Sequence, residues 1–117
     1  MLFVCYPKCS TCQKAQKALE TYGAQVTIRN IKEERPTREE IAAWHQMSGL
    51  PLSRFFNTSG LQYRALGLKD RLPRMSDEEK LDLLATDGML VKRPLLVGED
   101  FVLVGYKESE WQNALGN

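Results

Sequence analysis

Met1-Leu2-Phe3-Val4-Cys5-Tyr6-Pro7-Lys8-Cys9-Ser10-Thr11-Cys12 is the stretch whose reading decides the fold. Leu2 to Tyr6 is a short apolar and aromatic run stopped by Pro7, which reads as a buried strand ending in a loop. From Ser10 to Tyr22 the period changes. Cys12, Ala15, Ala18, Leu19 and Tyr22 recur at three- and four-residue steps, while Gln13, Lys14, Gln16, Lys17 and Glu20 face the other way. This is an amphipathic helix, and Gly23 supplies the left-handed residue that ends it. Gln25-Val26-Thr27-Ile28-Arg29 then alternates as a second strand does. Strand, helix and strand make a β-α-β unit, expected to be right-handed with its strands parallel.

Outward from this unit the chain becomes helical. Thr37-Arg38-Glu39-Glu40, after Pro36, is a capping box that opens a helix carrying Ile41, Trp44 and Met47 and stopping at Gly49. Ser76-Asp77-Glu78-Glu79 opens another, with Leu81 and Leu84 on one side and Gly88 at its end. Between them, Leu61 to Leu68 reads as a short helix and Leu52 to Gly60 as a turn-rich connection. Strands return with Leu95-Leu96-Val97 and Phe101-Val102-Leu103-Val104, which flank Gly98-Glu99-Asp100 as a hairpin does. A last helix carries Trp111, Ala114 and Leu115. The expectation is one α/β domain over residues 1–117: β-α-β, a helical insert at roughly 32–90, then β-β-α. Its four strands form a mixed sheet with helices on the faces.

Composition narrows the functional classes. A chain of 117 residues and 13.4 kDa fits one domain. Its 16 Lys and Arg against 15 Asp and Glu leave a net charge of +1, which gives no electrostatic reason to wrap nucleic acid. The apolar runs Met1–Tyr6, Leu95–Val97 and Phe101–Val104 fall far short of the ~18 residues of a membrane span. No basic region followed by a long apolar stretch opens the chain, so no secretory signal is read and a cytoplasmic location is expected. There the three cysteines are read as chemistry before they are read as staples.

Cys9-Ser10-Thr11-Cys12 is a C-x-x-C at the start of the first helix. The first helical turn leaves N–H groups without partners, and the macrodipole adds about half a positive charge. A thiolate at Cys9 is stabilised by both, so its pKa is expected below the ~8.5 of a free cysteine. Lys8 and Lys14 add to this. Cys12 falls in register with Ala15 and Leu19 on the face that packs against the sheet. Cys9 is therefore the candidate attacking sulfur and Cys12 the shielded resolving one, close enough for disulfide geometry. Cys5, inside a strand pattern, reads as a buried filler. Zinc would need a second ligand pair, and only His45 remains, isolated on a helix. Cys5, Cys9 and Cys12 also spell C-x-x-x-C-x-x-C, which resembles the cluster loop of radical SAM enzymes, but the chain has too few parallel strands for their partial barrel. A phosphotyrosine-phosphatase loop needs arginine where Ala15 or Ala18 stands. A second element is Lys92-Arg93-Pro94 ahead of a strand, where a proline is tolerated because it need not donate to the ladder.

Taken together, Pro7-x-Cys9-x-x-Cys12, Lys92-Arg93-Pro94-Leu95-Leu96 and Val104-Gly105-Tyr106 resemble the arsenate reductase/Spx family of the thioredoxin-like fold. Asn57-Thr58-Ser59-Gly60, Tyr63 and Leu66-Gly67-Leu68 fit that family's helical insert. The resemblance implies a cis Pro94 facing the redox cysteine and a basic Arg93 near its thiolate. It places Ser10, Thr11 and Pro94 along the substrate groove. It implies no bound cofactor or metal, and an external thiol donor of the thioredoxin or glutaredoxin/glutathione type. Glutaredoxin-linked arsenate reductases use one catalytic cysteine and three arginines. Cys9 and Arg93 match, whereas the other two arginine positions hold Asn57 and Gly105, and Cys12 is extra. A doubly charged oxyanion is then poorly neutralised. The Spx branch carries C-x-x-C and a glycine at the position of Gly105, and its members bind the C-terminal domain of the RNA polymerase α subunit through a disulfide switch. The leading expectation is a thiol–disulfide oxidoreductase. A redox-switched regulator of the Spx type is the alternative, and arsenate reduction with Arg54 or Arg64 replacing a missing arginine is a further one. Direct binding of nucleic acid or membrane is not expected.

Overall fold

A computed structural model describes residues 1–116; Asn117, the last residue of the expected domain, lies outside the described residues. The chain runs β1 (Leu2–Cys5), α1 (Ser10–Thr21), β2 (Thr27–Asn30), α2 (Arg38–Ser48), α3 (Leu61–Ala65), α4 (Leu68–Arg71), α5 (Asp77–Leu84), β3 (Leu95–Val97), β4 (Val102–Val104) and α6 (Glu108–Leu115). Tight 3-10 turns lie at Leu52–Phe55, Leu72–Arg74 and Gly88–Leu90. The strands form one mixed sheet in the order β2-β1-β3-β4. β1 pairs parallel with β2, Phe3 against Ile28, and antiparallel with β3, Phe3 against Leu96. β3 and β4 close an antiparallel hairpin, in which the Gly98 N–H donates to the Phe101 carbonyl at 2.9 Å. This is the thioredoxin-like arrangement, with no strand of the sheet between β2 and β3 among the described residues. Among the described residues no helix is long and apolar enough to cross a membrane.

The pleat of β1 explains how the core divides. Alternate side chains point to opposite faces of a strand. Phe3 and Cys5 go to one face, where they meet Cys12, Ala15 and Leu19 of α1, Leu96, and Trp111 of α6. Val4 goes to the other and joins Ile31, Ile41, Trp44, Phe55, Phe56 and Leu95 beneath α2 and the insert. Trp111 is fully buried, and its indole N–H donates to the Gly105 carbonyl at 3.1 Å, so its polar atom is satisfied.

Both capping boxes form as read, at Thr37 with Glu40 and at Ser76 with Glu79. Four details differ from the sequence reading. β2 begins at Thr27 rather than Gln25 because it is the sheet edge; Ile28 is 53 % exposed, so its apolar alternation reports no burial there. The expected Leu61–Leu68 helix is two short helices, parted by Gly67 at φ +62°, a conformation a glycine adopts without strain. α5 ends at Leu84 with Ala85 as its C-cap, not at Gly88. Gly88 instead passes so close to the chain after β2 that a Cβ would fall 1.9 Å from the Ile31 carbonyl oxygen. β4 starts at Val102, one residue later than the apolar run.

The insert is fastened to the strand side by backbone bonds. Phe56 bridges Val91, the Asn57 N–H donates to the Leu90 carbonyl, and the Lys92 N–H donates to the Phe55 carbonyl, both at 2.7 Å. The Asn57 segment and the Lys92-Arg93 segment are thereby held side by side. At the other end, Arg29 of β2 clamps α2. Its guanidinium meets both oxygens of Glu40 at 2.6 and 2.9 Å, and it also donates to the carbonyls of Glu34 and Arg35. The bond from Arg29, opposed by partial burial and aided by the Thr37 N–H, holds the Glu40 carboxyl down at about 2.

This pair predicts a pH-dependent variant. Glu40→Gln keeps the cap acceptor for Thr37 and loses the charge on Arg29, costing about 1 kcal/mol at neutral pH for a pair only partly buried. Because the folded pKa lies below the unfolded ~4.3, the contribution is present above that value and lost as pH falls toward about 2. Urea unfolding of both chains should show a gap at pH 7 that closes in acid; a gap that persists there would contradict the assignment.

Candidate functional site

The loop between β1 and α1 presents Cys9 as the N-cap of the helix, with extended backbone at φ −86° and ψ 122°. Its N–H donates to the Tyr6 carbonyl at 2.9 Å and its carbonyl accepts the Gln13 N–H at 3.0 Å. The Gln13 side chain reaches back to the Pro7 carbonyl at 3.0 Å, which fixes the turn from the other side. The Cys9 thiol is half-buried, and no cap hydrogen bond of full geometry closes on it. Cys12, in the first turn of α1, is 2 % exposed in the core under β1, and its sulfur accepts the Tyr6 N–H at 3.4 Å. Cys5 lies in the same core and is 3 % exposed. All three are free thiols.

Burial separates their acidities. For Cys9, partial burial opposes ionisation, but the N–H of Cys12, the Cys12 thiol, the N–H of Thr11 and the positive charge of Arg93 together outweigh it, and its pKa is lowered. For Cys12, burial dominates and pushes the thiol up to about 12, with the Cys9 sulfur raising it further and the Tyr6 N–H only partly offsetting this. Burial, then the charge of Cys9, also raises Cys5. The pattern is the one expected of a sulfur at a helix start with another enclosed behind it.

Cys9 opens onto a cavity of about 680 Å³. It is lined by Cys9 and Thr11 from the start of α1, by Lys32 after β2, by Asn57 and the stretch from Ser59 to Gln62, and by Asp87, Met89, Lys92 and Arg93 ahead of β3. Arg93 is half-buried. Its guanidinium carbon stands 5.5 Å over the Tyr6 ring, one terminal nitrogen donates to the Met89 carbonyl at 3.4 Å, and Nε is buried without a partner. The Arg93–Pro94 peptide is cis. Pro94 is buried behind Arg93, where its carbonyl accepts the Gly105 N–H at 2.8 Å. Gly105 has φ +76°, and a Cβ there would lie 3.1 Å from Cε of Lys92, so the lysine stem runs across the space a side chain would take.

Of the residues singled out from sequence, the structure brings Cys9, Thr11 and Arg93 to the cavity wall, with Cys12 behind Cys9. Ser10 is exposed but does not line the cavity, and Pro94 supports the wall from beneath. Asn57 is part of the wall; Arg54 and Arg64 are exposed and lie outside the lining. Lys32, Asp87, Met89 and Lys92 were not anticipated. Lys92 could have been found from its place beside Arg93, whereas Lys32, just past the end of an edge strand, carries no local signal. Among the described residues no group of three or more His, Cys, Asp or Glu side chains is gathered as a metal site requires.

The chain is similar along most of its length to several known proteins. The YusI protein of Bacillus subtilis is 49 % identical over 112 residues, covering 96 % of this chain and 95 % of that protein. A crystal structure of an ArsC family related protein from Bacteroides fragilis superposes with a TM-score of 0.94 at 54 % identity, covering 96 % of this chain and 94 % of that one. More distant are the global transcriptional regulator Spx of Staphylococcus saprophyticus and the arsenate reductase of Rhizobium meliloti. Spx is 29 % identical, covering 89 % of this chain and 78 % of that protein. The arsenate reductase is 30 % identical over 91 residues, 78 % of this chain but only 64 % of that protein. The profile of the ArsC family matches residues 5–114, from β1 into α6. By fold, by its relatives and by that match, the chain belongs to the ArsC family.

Proposed function

We propose that this chain is a thiol–disulfide oxidoreductase with Cys9 as nucleophile and Cys12 as resolving thiol. The observation that carries the reading is the opposed setting of the two sulfurs on one helical turn. Cys9 is acidified and open to a cavity, and Cys12 is held protonated and sealed from solvent. The Cys9 thiolate attacks one sulfur of a disulfide substrate. That S–S bond breaks, a Cys9–substrate disulfide forms, and the other half leaves as a thiolate that takes a proton from solvent. Cys12 gives up its proton as it attacks the Cys9 sulfur, releasing the second half as a thiol and closing a Cys9–Cys12 disulfide. Two electrons pass from the dithiol to the substrate. An external thiol donor of the thioredoxin or glutaredoxin type returns them. Arg93 favours the thiolate through its charge, Thr11 through its N–H, and Pro94 holds Arg93 in the wall.

A second reading is a redox-switched regulator that binds the C-terminal domain of the RNA polymerase α subunit. It draws on the likeness to Spx and on Gly105. The same cysteine pair would serve it, and binding of that purified domain with and without reductant separates the two. Arsenate reduction has less support, because Arg93 is the one arginine among the described residues lining the cavity.

Under mild oxidant with a small disulfide, Cys12→Ser should accumulate a covalent adduct on Cys9, seen by intact mass and peptide mapping, and Cys9→Ser should not. An adduct carried on Cys5 instead would overturn the roles. The pH dependence of alkylation gives a separate check. The Cys9 rate should rise with a midpoint below the ~8.5 of a free thiol, and Arg93→Met should move that midpoint upward. A wild-type midpoint above the free-thiol value would remove the electrostatic basis of the reading.

A further inference from the structure

The charge around the cavity is not balanced. Lys32, Lys92 and Arg93 border it, against Asp87 as its acid. None of these cations takes part in an ion pair among the described residues, although Arg29, Arg38 and Lys80 elsewhere all do. Asp87 is occupied locally, accepting the Met89 N–H at 2.9 Å to cap the Gly88–Leu90 turn. A chain with a net charge of only +1 therefore gathers three unpaired cations around the cavity onto which Cys9 opens, with Arg93 the one whose charge acts on the Cys9 sulfur. Arg93 is braced by Tyr6 and by the Met89 carbonyl, and the stem of Lys92 lies over Gly105, where a Cβ would stand 3.1 Å from its Cε. The volume, about 680 Å³, is that of a site for a whole small molecule rather than a bare oxyanion.

We propose that this cavity binds a low-molecular-weight disulfide bearing carboxylates, with Lys92 as the specificity-determining cation that holds a carboxylate while a substrate sulfur meets Cys9. The inference rests on Cys9 being the nucleophile and adds the class of substrate. Lys32, Lys92 and Arg93 line the same cavity as Cys9, so an anionic arm is attracted into it. A cationic disulfide is repelled by the same groups. The chemistry is the exchange already balanced above: the substrate S–S bond breaks, the Cys9–S bond forms, and the departing half carries off the electron pair.

The test uses the full chain with Cys12→Ser, so that the Cys9 adduct persists. Dithiodipropionate, bis(2-hydroxyethyl) disulfide and cystamine supply anionic, neutral and cationic aliphatic probes. Adduct formation is followed by intact mass, and each rate is divided by that of the same disulfide with free mercaptoethanol. The normalised order should be anionic, then neutral, then cationic. Adding Lys92→Met, which keeps an apolar stem over Gly105, should lower the anionic-to-neutral ratio about fivefold while the neutral probe still reacts. Adding Lys17→Gln, on the exposed side of α1, should leave the ratio where it was. A ratio unmoved by Lys92→Met, or moved equally by Lys17→Gln, would overturn the assignment of substrate class while leaving the oxidoreductase reading standing. Absence of a Cys9 adduct with every probe would overturn both.

Discussion

Everything functional in this chain depends on how the first turn of α1 is pressed against the sheet. Burial of Cys12, Ala15 and Leu19 against Phe3, Leu96 and Trp111 fixes the helix axis, and with it the direction in which the unpartnered amides of its first turn point. Cys9 is placed at those amides by the tight turn after β1, which Tyr6 and Gln13 bond from either side. The same packing that opens one sulfur to solvent encloses the other. The difference in acidity between Cys9 and Cys12 is thus a consequence of core packing, and a substitution that loosened α1 would reduce it without touching either cysteine.

The sheet separates construction of the turn that carries Cys9 from construction of its surroundings. One face carries α1 and α6 and contains the buried sulfurs. The other carries α2 and the insert, whose backbone is tied to the segment before β3 at Phe56 and Val91. The cavity forms where the two constructions meet: Cys9 and Thr11 come from the first, the Asn57 arm and the Lys92-Arg93 segment from the second. This arrangement draws the cavity wall from both faces of the sheet.

The parts of this fold legible in the sequence are those where one physical signal acts alone. Apolar periodicity located α1, because one of its faces is fully buried, and side-chain caps located the starts of α2 and α5. Reading failed where tertiary contacts decide. Edge strand β2 showed alternation without burial, and Gly88 looked like a helix stop when its role is to let two backbones approach. The site divides the same way. Cys9 and Cys12 could be placed from local order alone, and Arg93 and Pro94 from a family resemblance. Lys32 follows the edge strand and Asp87 sits at the far end of the insert, so no spacing along the chain announces that they meet at one cavity.

The most direct test of the central claim is an equilibrium titration of the wild-type chain against thiol/disulfide buffers, with peptide mapping at each poise. The account predicts a single two-electron transition in which Cys9 and Cys12 become linked to each other and Cys5 stays a free thiol throughout. Linkage of Cys5 to either sulfur, or oxidation of Cys9 and Cys12 in separate steps to mixed disulfides that never resolve, would contradict it.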